Sequence, residues 1–205
     1  MEVLEKNTIK NALDDAYSYE EFIHLVDNLL NEGKSTGHTQ NEDMNNYSSL
    51  NLKRMKRWDK RGQIDDGLKN RLQQLKQPLI WMVITEGWCG DASHTLPFIN
   101  KLSKQSEKID LKVVLRDDHD DLMNMFLTNG SKSIPKLITL NPLNHEVVFT
   151  WGPRAAEPTK MVKDYKAEHG KLDASFKEDL QKWYNKDKGL SVTTELTQLA
   201  EKYQS

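Results

Sequence analysis

The chain is poorest in cysteine: one thiol, Cys89, in 205 residues. A lone cysteine cannot close an internal disulfide, so a disulfide-stapled secreted scaffold is excluded and the fold must be held by its core. Long apolar runs are also missing. The longest, Leu79-Ile80-Trp81-Met82-Val83-Ile84-Thr85, falls far short of the roughly 20 residues a membrane helix needs. No signal-like apolar segment stands behind Met1. These absences lead to the expectation of a cytoplasmic protein with no membrane partner. Neither sign of charge dominates: 29 Lys and Arg face 31 Asp and Glu, a net charge of −2, which gives no reason to expect nucleic acid or an anionic surface as partner. There is no internal repeat and no low-complexity segment. At this length the chain buries a good core without staples.

Hydrophobic periodicity supplies the elements. Ser18 and Glu21 form a capping box ahead of Phe22, Ile23, Val26, Leu29 and Leu30 at helical spacing. Residues 31–46, with Gly33, Gly37 and several asparagines, read as a loop. Helices over 43–60 and 65–76 lead into the strand at 79–85. A helix over about 91–107 comes next, with Leu96, Ile99 and Leu102 on one face. Leu111–Leu115 is a strand. Asp117–Asp121 put acid where the next helix starts, and Leu122, Met125 and Phe126 give it an apolar face before Asn129-Gly130 ends it. Strands at 137–140 and 146–151 form a hairpin, and a helix over 157–168 begins with Pro158 in its first turn. Phe176, Leu180, Trp183 and Tyr184 stripe one further helix; Leu196, Leu199 and Tyr203 stripe a short last one. The core order is βαβαββα. Strands separated by helices are expected to pair in parallel, the last two antiparallel.

The thiol sits where such a pattern makes it interesting. Cys89 lies in Trp88-Cys89-Gly90-Asp91-Ala92, directly after the apolar strand and at a helix start, where backbone N–H groups stabilise a thiolate. This turn resembles the active-site turn of the thioredoxin superfamily, with Ala92 standing where the family has the second cysteine of Cys-x-x-Cys. Ser133-Ile134-Pro135 before Leu137–Leu140 resembles the family's cis-proline loop. Pro97 matches a helix proline that many members carry, and Glu146–Trp151 with Gly152 after it resembles the last strand and its glycine. The variant, with Trp151-Gly152-Pro153-Arg154 later, is similar to bacterial thioredoxin-like proteins of poorly defined function. The resemblance implies an α/β thioredoxin fold with a four-stranded mixed sheet over 79–170, a helical N-terminal extension over 1–78 and a helical C-terminal extension over 171–205.

For function, the resemblance implies a monothiol cycle. With Ala92 in the resolving position, and Val83 where many members have a buried acid, Cys89 would attack a protein or low-molecular-weight disulfide. An external thiol such as glutathione would then release it. Cys89 is the expected catalytic residue, and Trp88, Gly90, Asp91, Ile134, Pro135, Trp151, Gly152 and Arg154 the expected substrate-binding residues. No cofactor or metal is implied. The other reading is a non-catalytic peptide- or partner-binding module using a groove lined by Trp88, Ile134 and Trp151. Around the thiol, Asp91 reads as a helix-start acid, Ser93 is placed to reach the sulfur from the next turn, and His94 reads as exposed. Arg54, Arg57 and Arg61 align on one helix face that reads as solvated. Its functional alternative is an anion site formed with Arg154. The acidic run 117–121 lacks zinc-ligand spacing.

Overall fold

The computed structural model describes residues 2–204. Its sheet is built from β1 (Leu79–Thr85), β2 (Ile109–Leu115), β3 (Lys136–Leu140) and β4 (Val147–Trp151) in the order β2-β1-β3-β4. β1 pairs parallel with β2, while β3 runs antiparallel to both β1 and β4. The expectation that helix-separated strands pair in parallel therefore holds for β1 and β2 and fails for β3. The helix before β3, α6 (Asp120–Met125), has only six residues. The chain returns through 126–135 to the far side of β1, heading the opposite way.

Helices cover both faces. α2 (Tyr19–Asn31), α3 (Glu42–Arg61), α4 (Asp66–Gln73), α5 (Ala92–Ser103) and α9 (Leu190–Gln204) pack on the face that carries Trp81, Val83, Val113 and Leu137. α1 (Glu2–Asp14) and α6 cover the opposite face, which carries Met82, Ile84, Val114 and Ile138. Successive strand residues point to opposite faces, so β1, covered on both, is apolar at nearly every position instead of alternating. Fully burying a side chain of this size stabilises the fold by roughly 1.5–3 kcal/mol, which makes β1 the axis of both cores. α7 (Ala156–His169) and α8 (Ala174–Asp187) form a satellite with its own cluster of Val162, Phe176, Leu180 and Tyr184.

The capping box at α2 is present in both directions: the Ser18 hydroxyl accepts the Glu21 N–H and the Glu21 carboxylate accepts the Ser18 N–H. The elements differ from the sequence expectation in several places. α1 is a full helix with no counterpart in the pattern reading, because Ile9 and Ala12 are, among the described residues, the only buried apolar side chains it offers to the core. α6 ends at Met125, and Asn129-Gly130 instead form a separate tight turn between Thr128 and Ser131 with positive φ at both residues. α9 begins at Leu190, ahead of the expected stripe that starts at Leu196.

Candidate functional site

The turn after β1 is held from three sides. The Gly87 N–H donates to Thr36 Oγ1 at 2.8 Å, and its carbonyl accepts from Asn51 Nδ2 at 3.2 Å. The loop before α3 and α3 itself thus fix the strand end. On the other side, the Asp117 N–H donates to Glu86 Oε1 at 3.0 Å. Glu86 is only 1% exposed, its second carboxylate oxygen has no hydrogen-bond partner among the described residues, and burial pushes its pKa up. Arg116 lies over the Trp88 ring, 4.7 Å from the centroid.

Cys89 comes next, and it faces inward. Its thiol donates to the Ile134 carbonyl at 3.4 Å, the Ala92 N–H points at the sulfur at 3.5 Å, and only 6% of the residue is exposed. Burial, and then the Asp91 carboxylate, push its pKa up to about 12; the Ala92 and Asp91 N–H groups and Arg154 oppose this without prevailing. The helix start is therefore too weak a field to keep this thiol ionised at neutral pH. The Ile134–Pro135 and Gly152–Pro153 peptides are both cis, and Gly152 sits at φ 110.

Several neighbours stand elsewhere than the sequence implied. Asp91 makes no cap bond to α5. Its carboxylate instead pairs with Arg154 Nη2 at 2.5 Å and accepts the Tyr184 hydroxyl at 2.7 Å. Burial raises the pKa of Asp91, partly offset by Arg154 and Tyr184. Ser93 does not reach the sulfur; its hydroxyl donates to the Gly90 carbonyl at 2.7 Å. His94 is not exposed but 2% accessible. Its Nδ1 accepts from Trp58 Nε1 at 3.1 Å, its Nε2 lies 2.5 Å from Gln181 Oε1, and its ring stacks on Tyr184 at 4.7 Å. Burial pushes its pKa down to about 4, so the ring is neutral with the proton on Nε2.

Two of the three residues of the expected groove of Trp88, Ile134 and Trp151 are buried. Trp151 is buried beneath α9, where its indole N–H donates to Glu195 Oε2 at 2.7 Å, and Ile134 is 7% exposed. The concavity at this turn lies elsewhere, between α3 and α8, with a volume of about 640 Å³. Met44, Tyr47 and Leu50 from α3 and Leu172 and Leu180 from the α8 side form apolar walls. Trp88 and Gly90 come from the turn, and Asn51, Arg54, Asp91, Arg154, Lys177, Glu178 and Gln181 make its polar part. The structure thus brings Trp88, Gly90, Asp91 and Arg154 together in one cleft, and leaves Cys89, Ile134, Pro135, Trp151 and Gly152 outside its lining.

The basic face of α3 is not simply solvated. Arg54 lines the cleft, and Arg57 lies over the Trp58 ring at 4.4 Å and donates to Asn185 Oδ1 at 2.6 Å. Sequence reasoning missed Glu86, Asn51, Gln181 and the inward role of Tyr184. An acid directly after a seven-residue apolar strand is a signal that could have found Glu86. The others lie on amphipathic helices, whose docking the pattern does not specify. Among the described residues no cluster of His, Cys, Asp and Glu is placed to hold a metal ion, and no helix is long and apolar enough to cross a membrane.

Residues 37–166 match the family described as Thioredoxin, a span that takes in α3, α4, the turn and the entire sheet. No curated protein matches the chain. Among solved structures, a protein of unknown function from Pseudomonas aeruginosa superposes with a TM-score of 0.61 at 12% identity, over 93% of this chain and 95% of the other. An HIV epitope-scaffold superposes with a TM-score of 0.56 at 14% identity, over 90% of this chain and 98% of that one. At such identities the likeness is one of fold.

Proposed function

The chain belongs to the thioredoxin family, and from that premise we propose that it works as a ligand-binding module whose working surface is the cleft between α3 and α8, with Cys89 as a packing residue. The observation that carries this reading is the state of Cys89. It is the only cysteine, its thiol is engaged with the Ile134 carbonyl, and burial holds its pKa at about 12. A thiol–disulfide exchange centre needs an accessible thiolate. The cleft, by contrast, has the size of a small-molecule site and combines apolar walls with converging polar and charged groups.

A second reading, monothiol exchange with an external resolving thiol, is favoured by two observations. The Ala92 N–H is aimed at the sulfur, and the Arg154 guanidinium acts on it. In this reading the Cys89 thiolate attacks one sulfur of a disulfide and the other sulfur leaves as a thiolate; an external thiolate then attacks the mixed disulfide, forms a new disulfide with the bound group and expels the Cys89 thiolate.

The pH dependence of Cys89 alkylation separates the two. The binding-module reading expects folded protein to react far more slowly than a free thiol at neutral pH and to catch up only in denaturant. It also expects Cys89→Ser to keep any cleft ligand. An apparent pKa at or below about 8.5, with thiol-dependent reduction of a mixed disulfide lost in Cys89→Ser, would establish exchange and overturn the module.

A further inference from the structure

Resting on the reading of the cleft as a ligand site, we infer that its ligand class is a small apolar carboxylate whose head group is held by Arg54.

Charge in the cleft is unevenly satisfied. Three cationic side chains, Arg54, Arg154 and Lys177, and two acids, Asp91 and Glu178, line it. Asp91 is taken by Arg154 and Tyr184, and Glu178 is paired with Lys182 on the outer side of α8 at 3.1 Å. Lys177 is exposed to solvent. Arg54 is different: it is partly buried and makes no ion pair among the described residues. Its one hydrogen bond among them runs from Nη1 to Asn51 Oδ1 at 3.1 Å. Burial, and then the charge of Arg57, push its pKa down. A partly buried cation with no counter-charge is costly unless something pairs with it.

Its orientation is also set in advance. Asn51 is 1% exposed and directs its amide N–H to the Gly87 carbonyl, leaving Oδ1 to hold one edge of the guanidinium. The remaining N–H donors form the planar fork that matches a carboxylate in two parallel hydrogen bonds. The walls beside it, Tyr47 and Leu50, are apolar and about half exposed at 46% and 45%. An apolar body with one planar monoanionic head satisfies both parts. A strongly polar dianion would leave the walls unused. The volume of about 640 Å³ lies inside the roughly 300–1,000 Å³ of small-molecule clefts, which favours a free small acid over an extended peptide.

The test is an amide-resolved NMR titration of the full chain with 4-phenylbutyrate and decanoate, and with their neutral amides, on wild type, Arg54→Gln and Arg54→Lys. The acids should shift the Gly90 and Gln181 resonances and bind about tenfold more tightly than the amides, the size of a charged hydrogen-bond pair. Arg54→Gln should remove that preference by weakening the acids about tenfold more than the amides, and Arg54→Lys should keep part of it. Unchanged melting temperatures serve as the folding control. Equal affinity of acid and amide, or an acid affinity indifferent to Arg54→Gln, overturns the carboxylate assignment and leaves the cleft reading intact. Binding of an apolar C-terminal peptide where the free acids fail overturns the small-acid commitment. No response of the cleft to any of these probes overturns both.

Discussion

Neutral His94, clamped between Trp58 and Gln181 and stacked on Tyr184, makes folding depend on acid. Its folded pKa of about 4 lies below the ordinary 6.5. The unfolded chain therefore binds the proton first as pH falls. The contribution of His94 is complete above pH 6.5 and is lost between there and pH 4. At about 1.4 kcal/mol per pH unit, the gap corresponds to about 3 kcal/mol. His94→Gln, which keeps an acceptor and a donor, should lose less stability than wild type when the pH is lowered from about 7 to about 4.5, as urea denaturation at both values will show. A glycine pair gives a second residue-scale outcome. At Gly152 a Cβ would lie 2.3 Å from the Pro135 carbonyl oxygen at φ 110, whereas at Gly90 it meets nothing within 4 Å. Gly152→Ala should cost more than about 2 kcal/mol and Gly90→Ala under about 0.5 kcal/mol, read from the same denaturation curves. The sequence marked both positions as special and could not separate them, because the difference lies in what the fold brings opposite each.

α9 packs on the core through Val192, Leu196 and Ala200, and one polar side chain adds a specific tie. Glu195 accepts the Trp151 indole N–H at 2.7 Å and the Ala156 N–H at the start of α7 at 2.8 Å, tying β4, α7 and α9 together. Glu195→Ala leaves both donors without an acceptor and should cost roughly 2–3 kcal/mol. Glu195→Gln, which still offers an oxygen, should cost less. Thermal denaturation with tryptophan fluorescence reports both the loss and the exposure of Trp151. α8 is tied to the turn in the same manner, by the Tyr184 hydroxyl on Asp91. The amphipathic stripe made α8 and α9 legible as helices, but the stripe says only which face is buried. The partner of that face is chosen by the rest of the chain, which is why Tyr184 reads in sequence as one more apolar position.

For the molecule as a whole, the two cores share β1, while α7 and α8 have a separate small cluster. Few buried contacts mean a low local opening free energy. Amides of residues 174–187 should exchange with solvent faster than those of β1 and β3. A cleft ligand at a hundredfold its Kd should raise stability by about 2.7 kcal/mol and slow exchange along α8 most. Uniform protection across sheet and α8 in the free protein would refute the satellite picture. The sequence by itself determined the order of the elements from α2 onward, the sheet-forming runs, the place of Cys89 between strand and helix, and the absence of a second cysteine in the chain. These are local matters of periodicity, turn chemistry and residue identity. Only the tertiary structure decided that the thiol points at Ile134, that Asp91 belongs to Arg154 and Tyr184, that Trp151 lies under α9, and that the open surface is a cleft between α3 and α8. Each of those depends on segments distant in sequence meeting at one place, and burial and charge pairing there outweigh the preference that any residue shows in its own stretch of chain.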